Sequence, residues 1–61
     1  MNVKQIGEEI ASDLMYEYDQ SEIISDDRIE KECYGVIYDI KDDIKYEVQK
    51  ELEKYGYEYE E

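Results

Sequence analysis

Sixty-one residues make one domain at most, and a chain this short buries only about 60% of its unfolded surface, which leaves a lone core marginal. With a single cysteine and no histidine, neither an internal disulfide nor a Cys/His zinc site can reinforce it, so oligomerisation or a partner is left to do so. Nineteen acidic residues against seven basic set the net charge at −12, a body repelled by nucleic-acid backbones and anionic membrane surfaces and drawn to cationic proteins.

The excess charge is evenly spread. Residues 1–20 hold one basic and five acidic side chains, residues 21–40 two and six, and residues 41–61 four and eight. The whole body is therefore anionic, beyond the net charge of about 2–8 that solubility asks of a small domain. No apolar run approaches the ~20 residues of a spanning helix, and the amino end lacks the apolar segment of a signal peptide. A cytoplasmic protein with Cys33 reduced is the expectation.

The first predicted element is a helix over residues 3–18. Asn2 is a suitable N-cap, and Gln5 three residues later completes a capping box. Val3, Ile6, Ile10, Leu14 and Tyr18 recur at steps of three or four, one face of a helix. Gly7 and Ala11 flank that face and permit close approach of another helix.

Residues 19–25 read as a connection ending in Ser25, a second N-cap. Asp26 and Asp27 follow where the helix dipole favours negative charge, and Ile24 with Ile29 forms a candidate hydrophobic staple. From there Ile29, Cys33, Ile37, Ile40, Ile44, Val48, Leu52 and Tyr55 recur at a mean step near 3.7, the period of one long, nearly straight helix. Gly35 interrupts it at a cost of roughly 1 kcal/mol and predicts a kink rather than an end. Residues 56–61 read as a frayed acidic and tyrosine-rich tail. A competing mixed reading makes residues 36–40 one strand and residues 55–59, which alternate with period two, another.

The expected architecture is all-α: one domain over residues 1–61, a helical hairpin with a short first helix and a long second one. The first spans about 24 Å and the second about 45 Å. Much of the second helix's apolar stripe then stands uncovered, and Ile37, Ile40, Ile44 and Val48 become a self-association surface, most simply a twofold homodimer.

Nothing along the chain assembles an active site. Histidine is absent, Ser12, Ser21 and Ser25 lie in polar or capping contexts, and Cys33 sits on the apolar stripe as a small hydrophobe. Asp26-Asp27 and Asp42-Asp43 lack the alternating oxygen ligands and central glycine of a calcium loop. The expectation is a protein that is no enzyme, with no cofactor and no metal.

Asp39, Asp43, Glu47 and Glu51 are spaced four apart and on one helix form a ladder of like charge, its rungs about 6 Å apart. That is roughly twice the axial phosphate spacing of one DNA strand. Tyr34 and Tyr38 lie on the other flank of the stripe, among eight tyrosines and no tryptophan or phenylalanine. Tyrosine suits surfaces that are wet when free and buried when bound.

Small size, uniform acidity and abundant tyrosine resemble the phage-encoded acidic inhibitors of the anti-CRISPR, anti-restriction and DNA-mimic type. The resemblance is one of composition and rests on no motif. It implies an inhibitor that occupies a basic nucleic-acid-binding surface of a defence or DNA-processing enzyme, without binding nucleic acid or membrane itself. Carboxylates would replace phosphates, and tyrosines would fill apolar or stacking positions. Two other readings compete: a homodimeric regulatory module whose apolar groove holds a partner helix, and a segment that folds only on binding.

Overall fold

A computed structural model of the chain describes residues 2–34 and 40–60. Its elements are α1 (Val3–Glu17), β1 (Ile23–Ile24), α2 (Asp26–Tyr34), α3 (Lys41–Lys54) and β2 (Glu58–Tyr59). The all-α class holds, with two very short strands added.

Local chemistry starts α1 and α2 where the sequence places them. Asn2 Oδ1 accepts from the Gln5 amide at 2.8 Å, and Gln5 Oε1 accepts from the Asn2 amide at 3.1 Å, closing the capping box. Ser25 Oγ accepts from the Arg28 amide at 3.2 Å. Ile24 and Ile29, the staple pair, are both fully buried.

The expected long second helix is instead two helices. Lys45 Nζ lies 2.6 Å from Asp26 Oδ1, whereas on one straight helix those residues would stand about 28 Å apart. The chain therefore reverses between α2 and α3, and Gly35, the expected kink, falls outside the described residues. The apolar period survives because both helices turn the same kind of stripe to one core. Ile29 and Cys33 come from α2 and Ile44, Val48 and Leu52 from α3; they join Ile6, Ile10, Ala11 and Leu14 of α1 and Ile24 of β1. Each fully buried aliphatic side chain contributes about 1.5–3 kcal/mol of transfer free energy. The radius of gyration, 10.3 Å, matches the ~10.5 Å of a globular chain this long.

Reversal also corrects the self-association surface. Ile44 and Val48 are fully buried and Ile40 is partly buried against the same core, so the chain covers its own stripe. Ile37 lies outside the described residues.

A second correction concerns the tail. Gly56, at φ +81°, ends α3: its amide donates to Glu53 O at 3.1 Å and that of Tyr57 to Leu52 O at 2.9 Å. These two bonds define a Schellman motif, for which a residue without Cβ is best suited. The chain then runs parallel to β1, in register Ile23 with Glu58 and Ile24 with Tyr59. Tyr57 and Tyr59 pack on the core, and the Glu60 amide donates to Ile24 O at 2.9 Å. Residues 57–60 are docked, not frayed. The mixed reading had a strand in the tail, yet its partner is β1 rather than residues 36–40.

Candidate protein-binding surface

Helix α3 packs on α1 and splits the predicted ladder. Gly7 admits this approach: a Cβ there would stand 2.5 Å from Glu47 Cβ. Glu47 and Glu51 consequently lie along the seam, their side chains only 21% and 15% exposed. Lys50 reaches Glu47 at 3.2 Å and Lys54 reaches Glu51 at 3.9 Å. Asp43 is exposed on the outer side of α3, and Asp39 lies outside the described residues. The predicted row is thus not one continuous anionic face. Tyr34 is half-exposed, with Lys41 Nζ 5.0 Å from its ring centre; Tyr38 is outside the described residues.

The few cations are largely spent inside the fold. Arg28 of α2 pairs with Glu17 of α1 and, at 3.0 Å, with Glu32. The hydrogen bond to Glu17 raises the guanidinium pKa further. Lys45 bridges α3 to Asp26 and, at 3.3 Å, to Glu30. Lys41 pairs with Asp42 at 3.3 Å. The pKa values of both lysines are raised, chiefly by their contacts with Asp26 and Asp42 respectively. Counting Lys50 and Lys54, five of the seven basic residues are in ion pairs within the chain.

Uncompensated carboxylates remain on all three helices and in the tail, and α1 carries three of them. Glu8, Glu9 and Asp13 have no cation within 4.0 Å among the described residues, and Tyr16 on the same side is 93% exposed. Sequence reasoning passed over this face, although Glu9, Asp13 and Glu17 repeat the four-residue spacing of the predicted ladder. They flank the stripe Ile6, Ile10 and Leu14 as the predicted ladder flanks its own, and that repeated pattern was the signal for it.

The chemistry available elsewhere is limited. Cys33 is buried, and burial pushes its thiol pKa up, away from the thiolate. The gap beside it, lined by Glu30, Tyr34, Lys41, Asp42 and Lys45, is too narrow for water. Among the described residues no three His, Cys, Asp or Glu side chains converge as metal ligands, and no helix is long and apolar enough to cross a membrane. The described residues define a small, acidic domain of three helices with a strand-paired tail. Comparison with protein-family models, with curated proteins and with solved structures finds no match.

Proposed function

We infer that this chain is a stoichiometric, non-enzymatic inhibitor that acts in the cytoplasm, covering the basic nucleic-acid-binding surface of a defence or DNA-processing enzyme. The observation that carries this reading is the charge pattern of α1, where exposed Glu9 and Asp13 and half-buried Glu8 have no cation within 4.0 Å among the described residues. Most of the cations are occupied within the fold; Lys4, one turn before Glu8 on α1, and Lys31 on α2 are the two outside ion pairs among the described residues. Glu9 and Asp13 stand about 6 Å apart along the axis, a spacing compatible with a groove built for phosphates. Asp43 extends the acidic surface on α3, while Glu47 and Glu51 serve the helix seam instead.

The test starts from immobilised protein exposed to bacterial lysate at low salt, with and without excess duplex DNA. Retained proteins are identified and purified, and their DNA binding is titrated with the chain. The expected result is a target lost to the DNA competitor and to 0.5 M salt, whose DNA binding ends at one equivalent. Changing Glu8 and Glu9 to Gln and Asp13 to Asn together is expected to weaken the complex about tenfold or more. Retention indifferent to salt and to DNA would end the mimicry reading.

A further inference from the structure

Three exposed tyrosines share one arrangement. Lys41 lies over Tyr34 at 5.0 Å, Lys50 over Tyr46 at 4.9 Å and Lys54 over Tyr55 at 5.6 Å, measured to the ring centres. Each of these ammonium groups also reaches a carboxylate, of Asp42, Glu47 and Glu51 in turn. The cation is thus held from two sides, by a ring face and by an anion.

Tyr16 has the ring and the anion without the cation. Among the described residues it is the most exposed of the large hydrophobic side chains, at 93%, and no lysine or arginine of theirs lies over it. The local sequence gives the reason. Tyr46-Glu47 is followed by Lys50 one helical turn after the ring, whereas Tyr16-Glu17 is followed by Gln20 at that place. Helix α1 moreover stops at Glu17, and Gln20 turns away to donate to Tyr55 O at 2.7 Å. Arg28 takes Glu17. Asp13, three residues before Tyr16 and hence its neighbour on the helix surface, keeps an unpaired carboxylate among the described residues.

We propose that Tyr16 and Asp13 form the receptor for an arginine side chain of the basic partner, the guanidinium lying over the ring and bridging to the carboxylate. This rests on the inhibitor reading above and names the side chain that its surface takes. The internal lysines are tethered close to their rings by the chain itself, all three from α3. An incoming side chain has no such tether. Arginine compensates because its planar, weakly hydrated cation stacks on aromatic faces and offers paired donors to a carboxylate.

The probes are two peptides of equal length and charge, one bearing arginines and the other lysines. Each is titrated into the full chain by calorimetry, with the Tyr16 ring protons followed by NMR. The arginine peptide is expected to bind about 3- to 10-fold more tightly and to shift the Tyr16 ring signals. Tyr16→Ala is expected to weaken it about tenfold and to erase the preference over lysine, and Asp13→Asn to weaken it less, while Tyr16→Phe keeps both. Tyr46→Ala, whose ring already lies under Lys50, is expected to change nothing. The exposure of Tyr16 lets these variants fold as the parent does. Equal binding by parent and Tyr16→Ala with the same salt dependence overturns the arginine receptor and spares the acidic-surface reading. Failure of both peptides to bind overturns the receptor and the acidic-surface reading together.

Discussion

At the scale of single residues, Lys45 ties α2 to α3. Asp26 Oδ1 is shielded from solvent without an aligned hydrogen bond, and its counter-charge is the Lys45 ammonium at 2.6 Å. Contact with Asp26 raises the lysine pKa, burial opposing. The raised folded value sits above an unfolded value of about 10.4, so the stabilisation is complete at neutral pH. It is lost as pH climbs from there through the folded pKa. Lys45→Met leaves the aspartate without its counter-charge. Urea unfolding at pH 7 is expected to show a loss of about 1–2 kcal/mol, discounted because the pair is partly solvated. The variant is also expected to lose less stability than the parent on going to strongly alkaline pH. Equal stability of the two at pH 7 would remove Lys45 from this role.

At the scale of elements, the contact of α1 with α3 depends on what Gly7 lacks. Alanine at a helical position normally gains about 1 kcal/mol over glycine. Here the new methyl would meet Glu47 Cβ at 2.5 Å and the Val48 amide nitrogen at 3.3 Å. Neither is the far end of a flexible side chain, so the helices must part, at about 1–3 kcal/mol. The net expectation for Gly7→Ala is a melting temperature lowered by about 5 °C. A rise would mean that α1 and α3 do not approach this closely. Small residues beside the α1 stripe made that closeness legible, but they left open whether the approaching helix came from this chain or another. The end of α3 was legible too: Gly56 lies between Leu52 and Tyr57, the apolar pair that accompanies a Schellman motif.

At the scale of the whole molecule, charge and burial oppose each other. A net charge of −12 on 61 residues repels itself across a body 31 × 19 × 17 Å in extent. Screening shortens the reach of that repulsion to about 10 Å at 0.1 M salt and to about 3 Å at 1 M. The exposed ion pairs that salt also weakens are worth only about 0–1 kcal/mol each. Thermal denaturation is therefore expected to move upward by several degrees between 0.02 and 0.5 M sodium chloride. A downward shift would mean that the pairs of Arg28 and Lys45 outweigh the repulsion.

The sequence by itself determined the helical class, both marked helix starts, the staple of Ile24 on Ile29 and nearly every core position. Each follows from interactions within a few residues, or from a period that a helix imposes wherever it packs. It did not disclose the reversal before α3. That helix begins at Ile40 without a side-chain cap, and the apolar stripes of α2 and α3 happen to stay in phase. Only the tertiary structure decided which carboxylates face water. Glu47 and Glu51 have the spacing of an exposed row and lie at a seam, while Glu9 and Asp13 on α1 remain outside. Spacing states which residues share a face of a helix; what covers that face depends on contacts between residues distant in sequence, such as Gly7 with Glu47 and Asp26 with Lys45.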